Sequence, residues 1–243
     1  MLAFENMPSN VTIASLQQMK RDGRKIVGVV AWDCQMAQIV DRAGVEIVSV
    51  GDSVGVNLWG HAGPDEVTLD EMVIVCKAVR RGVKRALVSC DIPNKGLEAA
   101  VRLKEAGADL VKLGDLSEVR AVVRAGIAVF AEFHGGEIAT EKLVEQAKRL
   151  EDAGASLLDF RHSGPVAGEA VVRAVRVPVI GGLGGGPWLD GRIRMVHAAI
   201  GYAASNLTSK TDNYANVAQV TLDAITAYAE DVRAERQIKG QRG

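Results

Sequence analysis

Two short stretches, GDSVG around Asp52 and SCDIP around Asp91, each set a carboxylate just past an apolar run. Asp52 has Gly51 before it and Ser53 after it, so open backbone and a hydroxyl surround the acid, a setting that suits a hard cation or an anionic substrate. A helix-capping role for Asp52 fits the spacing equally well. At Asp91 the following Ile92-Pro93 disfavours an immediate helix, and the site reading gains. Two carboxylates on neighbouring strand ends stay ionised most readily when a cation lies between them. Magnesium takes one or two protein carboxylates plus substrate oxygens, so the pair fits a magnesium site for a 2-oxo acid. Lys112 lies inside an apolar run, and alternation puts it on one face with Leu110 and Gly114. A lysine pointing into a core needs an anion beside it.

These residues must be held by repeated elements. Four ten-residue segments open on Ala-Gly, run through apolar residues and end in a reactive pair: AGVEIVSVGD (43–52), AGADLVKLGD (106–115), AGIAVFAEFH (125–134) and AGASLLDFRH (153–162). A fifth, GVKRALVSCD (82–91), has the same length. Each apolar run reads as a buried parallel strand, with Ala-Gly closing the helix before it. Asp115, His134, Arg161 and His162 therefore join Asp52 and Asp91 at the carboxyl ends of strands, the edge where parallel α/β folds bind ligands.

Strand-like runs fall at 25–32, 45–50, 85–90, 109–113, 128–133, 156–160 and 177–182, with an eighth, weaker run at 194–201. Amphipathic segments separate them; in 141–154, Leu143, Ala147 and Leu150 share one face. Eight alternations in 243 residues without a linker predict a single (β/α)8 barrel domain over 1–243 rather than a doubly wound open sheet. Residues 12–22 predict a helix plugging the amino-terminal end of the barrel. The tail 213–236 carries Val217, Val220, Ala224, Ile225, Tyr228 and Val232 on a helical stripe, either as the last barrel helix or as an arm packing on a neighbouring subunit, and the polar end QIKGQRG is expected to fray. The glycine-rich stretch 181–187 stands where many barrels bind a phosphate or carboxylate, but it does not fit a dinucleotide-binding turn. His197, in the eighth run, suits a core as well as a site, and His61 stands in a polar loop.

A net charge of -1 without any Lys/Arg block argues against nucleic acid or an anionic membrane as partner. No apolar run approaches a membrane span, and MLAFENMPSN lacks the order of a signal peptide, so a cytoplasmic protein is expected. Cys34, Cys76 and Cys90 have no CxxC spacing and read as buried small hydrophobes.

The stretch DRAGVEIVSVGDSVGVNLWG, the VTLDEM segment, the RGVKRALVSCDIP approach to Asp91, EAGADLVKL, the PVIGG segment with Asp190 and Gly191, and the tail KTDNYANVAQVTLDAITAYAEDV resemble the ketopantoate hydroxymethyltransferase family, most specifically over residues 12–113. The resemblance implies a (β/α)8 barrel of the phosphoenolpyruvate/pyruvate superfamily and a homo-oligomer. It implies chemistry in which magnesium holds a 2-oxo acid while its enolate takes a one-carbon unit from methylenetetrahydrofolate, as in pantothenate biosynthesis. Carried over by position, Asp52 and Asp91 match metal and substrate carboxylates, Ser53 a substrate hydroxyl and Lys112 a substrate-binding lysine.

Three departures follow. A third metal-associated carboxylate of the family falls on Gly114, with Asp115 nearest; its general-base Glu falls on Arg161; and Glu132 stands where the family has His, within a shortened segment AEFHGGEIATEK. Arginine cannot take a proton from carbon at neutral pH. His162, His134, Asp115 and Glu132 are therefore the candidates for proton transfer. Arg161 suits a bidentate grip on a second carboxylate, which points to a larger or more acidic substrate. Two other readings stay open: a lyase, decarboxylase or hydrolase of the same superfamily, although the KxCG loop motif of its isocitrate lyase branch is absent, and a non-catalytic metabolite-binding homologue.

Overall fold

The computed structural model describes residues 10–93, 96–182, 184–209 and 212–240. The amino-terminal stretch up to residue 9, Leu183 of the glycine-rich loop and the last three residues of the polar end lie outside them. Eight parallel strands close a barrel in sequence order. They are β1 (Ile26–Val30), β2 (Ile47–Val50), β3 (Leu87–Asp91), β4 (Leu110–Leu113), β5 (Ala128–His134), β6 (Leu157–Arg161), β7 (Val179–Gly181) and β8 (Gly191–Met195). Helix α1 (Ile13–Arg21) precedes β1; α2 (Cys34–Arg42), α3 (Leu69–Gly82), α4 (Leu97–Glu105), α5 (Leu116–Arg124), α6 (Thr140–Asp152) and α7 (Pro165–Ala174) follow the first six strands in turn.

The Ala-Gly repeats end helices as expected. Ala43 and Ala106 are the last αR residues of their helices, and Gly44 and Gly107 after them adopt φ 88 and φ 107, the left-handed turn that releases the chain into the next strand. The VTLDEM segment is a helix start: the Thr68 hydroxyl accepts from Glu71 N–H while the Glu71 carboxylate accepts from Thr68 N–H.

Alternation along the strands stacks side chains in layers inside the barrel. The lowest layer is apolar, one residue per strand: Ile26, Ile47, Leu87, Leu110, Phe130, Leu157, Ile180 and Ile193. Leu16 and Met19 of α1 pack into the same cluster, so the helix over 12–22 does close the amino-terminal end. Two residues further on, the same face carries Ser49, Ser89, Lys112, Glu132 and Asp159, and the layer becomes polar toward the carboxyl ends. The Ser49 and Ser89 hydroxyls bond to each other at 2.8 Å.

The eighth strand departs from its expected position. It is GRIRM, 191–195, with Ile193 inward and Arg192 and Arg194 exposed, whereas Val196–Ala199 forms a short helix, α8. Arg192 and Arg194 stand on the exposed outward face of this strand, so its pattern is less apolar than that of the helical VHAAI beside it. His197 accordingly sits in α8, buried, with its ring edge-on to Tyr202 at 4.5 Å. Two compact units divide the chain after Arg194. The second contains α8 and α9 (Val217–Arg233); α9 buries Ala218 and leaves Val220, Leu222, Ile225, Tyr228 and Val232 exposed. No helix among the described residues is long and apolar enough to cross a membrane.

Candidate active site

The carboxyl ends of β2 to β6 bring together Asp52, Asp91, Lys112, Glu132, Asp159 and Arg161. Asp52 follows β2 and Gly51, and the next α-helix does not start until Leu69, capped by Thr68, so Asp52 caps no helix there. After it the chain turns through Ser53, whose carbonyl accepts from the backbone and side-chain N–H groups of Asn57, into a π-helical turn, Gly55–Trp59. Such turns recur at functional sites. Gly51 leaves room over the β2 end: a Cβ there would stand 3.0 Å from Ser53 Oγ and 3.6 Å from Asp91 Oδ2. The Trp32 indole N–H holds the Gly51 carbonyl at 3.0 Å.

Asp91 and Lys112 are register partners on β3 and β4, and Glu132 and Asp159 are partners on β5 and β6. The Lys112 ammonium is buried among three carboxylates: 2.6 Å from Asp159 Oδ2, 3.3 Å from Glu132 Oε2 and 3.8 Å from Asp91 Oδ1. The inward lysine thus has its anions, one of them fully buried. Arg161 lies across two of the same groups, with Nη2 2.6 Å from Glu132 Oε2 and Nε 3.3 Å from Asp159 Oδ2. Asp159 Oδ1 also accepts Gly182 N–H at 3.3 Å, which ties the first part of the glycine-rich loop to β6.

The titration tendencies follow from this packing. Burial pushes the Asp91 carboxyl up to about 6 against the pull of Lys112, with Asp52 and Glu132 adding to the rise. Burial likewise raises Asp52 against Lys112 and Arg161. Asp159 goes the other way: burial raises it, but Lys112, Arg161 and the Gly182 N–H together hold it below the usual carboxylate range. Burial lowers Lys112, but Asp91, Asp159 and Glu132 outweigh it and the ammonium ends above its ordinary value. Among the described residues four carboxylates here face two cations, a surplus of two negative charges in a partly desolvated mouth. The Asp91 Oδ1 atom is buried and accepts no hydrogen bond among the described residues.

At the rim, His134 ends β5 with Nε2 3.3 Å from Glu132 Oε1, and the His162 ring centroid lies 6.4 Å from that of His134. His162 has φ 49, a left-handed backbone that costs a residue with a Cβ about 1–3 kcal/mol. It is held there because Gly135 N–H donates to the Arg161 carbonyl and Gly136 N–H to the His162 carbonyl. Asp115 serves as the N-cap of α5, accepting from the backbone N–H groups of Ser117 and Glu118. Asp159 was not among the residues singled out from the sequence. The alternation that turned Lys112 inward, counted from Leu157, would have placed it in the same layer.

The sequence profile of ketopantoate hydroxymethyltransferase matches residues 10–237. A 3-methyl-2-oxobutanoate hydroxymethyltransferase from Cyanothece is 35% identical, the match covering 93% of this chain and 97% of that protein. Among solved structures, a 2,3-dimethylmalate lyase of the PEP mutase/isocitrate lyase superfamily superposes with TM-score 0.62 at 16% identity, covering 96% of this chain and 90% of that one. A phosphonopyruvate hydrolase solved with oxalate and magnesium superposes with TM-score 0.62 at 14% identity over 93% of this chain and 88% of that one. With a charged mouth on a closed barrel and a profile match running nearly end to end, the chain belongs to the ketopantoate hydroxymethyltransferase family of enzymes.

Proposed function

We propose that this protein is a magnesium-dependent enzyme that forms a C–C bond at carbon 3 of a 2-oxo acid, of the 3-methyl-2-oxobutanoate hydroxymethyltransferase type, with methylenetetrahydrofolate as the one-carbon donor, water supplying the hydroxyl and tetrahydrofolate as the leaving group. The observation that carries the reading is the buried Asp91 Oδ1, which accepts no hydrogen bond among the described residues, in a mouth where those residues leave two surplus negative charges. An oxygen so placed is costly unless a cation meets it. Asp52 and Asp91 are the residues that would hold magnesium, an oxygen-preferring ion suited to two carboxylates. Bound there, the ion would supply a Lewis acid for the carbonyl of the oxo acid.

The rest is done by the chain. Ser53 and Lys112 bind the substrate carboxylate end, Lys112 from a position its neighbours keep charged. His134, oriented by Glu132, takes the proton from carbon 3; His162 faces it across the rim. Asp115, engaged as a helix cap, is left out of this scheme. Arg161, whose Nη2 and Nε already pair with Glu132 and Asp159, has a second substrate carboxylate to meet only on an acid larger than 3-methyl-2-oxobutanoate, which carries one. The family resemblance and the exposed stripe of α9 support a homo-oligomer.

The test is proton exchange. Incubated with magnesium and 3-methyl-2-oxobutanoate in heavy water, the protein should exchange the C3 proton, followed by NMR. Exchange should fall at least about 100-fold in His134→Ala, the usual scale for a general base. Absence of exchange with a panel of 2-oxo acids would remove the C–C bond-forming reading and leave cleavage or binding.

A further inference from the structure

Three carboxylates compete for one buried ammonium, and they do not share it equally. Asp159 Oδ2 takes Lys112 Nζ at 2.6 Å, Glu132 is next at 3.3 Å, and Asp91 Oδ1 is left at 3.8 Å, beyond hydrogen-bond reach. Asp159 is fully buried and itself fixed from two further sides, by Gly182 N–H and by Arg161 Nε, both at 3.3 Å. It therefore cannot follow the lysine; the lysine must come to it. We propose that Asp159 is a positioning residue: by holding the Lys112 ammonium toward β6, it keeps the Asp91 carboxylate open for a divalent cation. The proposal rests on the reading that Asp91, with Asp52, is the cation site.

The physical reason is competition. An ammonium and a magnesium ion cannot both sit against one carboxylate oxygen, and Lys112 and Asp91 are already register partners on adjacent strands. Without a stronger anion on the far side, the ammonium would close on Asp91 Oδ1, which accepts no hydrogen bond among the described residues. Asp159 prevents this from two strands away, where its own burial leaves it no solvent to pair with instead. The device is local to this chain's wiring of β4, β5 and β6, since Glu132 and Arg161 belong to the same closed set of ion pairs.

The test is a double-mutant cycle read by calorimetric titration with Mg2+ alone, on the full chain without substrate. Asp159→Asn should weaken Mg2+ binding by about fivefold or more. Lys112→Met should bind at least as well as wild type, and Asp159→Asn in the Lys112→Met background should bind within about twofold of Lys112→Met. A purely structural role, or a simple loss of one negative charge, would weaken binding by the same factor in both backgrounds; that result, or no effect of Asp159→Asn at all, overturns the proposal. Should Asp159→Asn lose its native circular dichroism, Asp159→Ala carries the same comparison. If wild type and Asp91→Ala take up Mg2+ equally, or neither does, the cation site itself is wrong and the proposal falls with it. Wild-type binding that Asp91→Ala abolishes but Asp159 does not influence overturns the proposal alone.

Discussion

An ionised Asp91 works against the stability of the metal-free protein. Its carboxyl titrates at about 6 in the fold against 3.8 for the free side chain, so between those values the folded state holds a proton that the unfolded state has lost. The contribution of this group is therefore full below pH 4 and is lost as the pH rises through 6. At 1.36 kcal/mol per pKa unit the loss is about 3 kcal/mol. Asp91→Asn in EDTA should accordingly match wild type in stability at pH 4 and exceed it by about 2–3 kcal/mol at pH 7.5, as read by urea unfolding. Added Mg2+ should close that gap by stabilising wild type only. An equal offset at both pH values would mean that the carboxyl ionises normally. Asp91, Asp52 and Lys112 were legible in the sequence because they end or interrupt apolar runs. Asp159 stands between Leu158 and Phe160, and only the alternation counted from Leu157 separates it from an outward acid.

At the scale of elements, the site depends on layers that the strands share. The α1 helix is joined to the barrel by Leu16 and Met19, which complete the apolar ring under the charged layer. Leu16→Ala should cost about 2–5 kcal/mol by removing a fully buried side chain from that ring. Chemical denaturation measures it, and a cost below about 1 kcal/mol would mean α1 docks without sealing the core. The seven earlier strands were visible as apolar runs bounded by Ala-Gly or Gly and a polar residue. The eighth was displaced because GRIRM is short and half charged, so its pattern is weaker than that of the helical residues after it. Cap or ligand could not be decided for Asp52 from spacing, since that depends on where α3 begins, and the π-helical turn and loop after Asp52 put the start at Leu69.

At the scale of the whole molecule, α9 of the second unit carries an exposed apolar stripe. Val220 is 66% exposed and Ile225 61%, and Tyr228 follows on the same helix. Contiguous exposed apolar residues mark an interaction surface. In the proposed homo-oligomer a second copy covers this face. Ile225→Asp with Tyr228→Asp should then lower the mass in sedimentation equilibrium without loss of helical signal, and an unchanged mass would discard α9 as the contact.

The sequence alone determined the barrel, its amino-terminal plug and the strand ends that carry Asp52, Asp91 and Lys112. Period, caps and apolar runs are local properties, and the repeated Ala-Gly segments state them ten residues at a time. Only the tertiary structure decided how the charges are shared: that Lys112 leans on Asp159 rather than Asp91, that Arg161 is bridged by Glu132 and Asp159, and that Asp115 caps a helix. Those choices turn on differences of about 1 Å between strands that are distant in sequence, where Coulomb energy varies steeply and no local pattern records it.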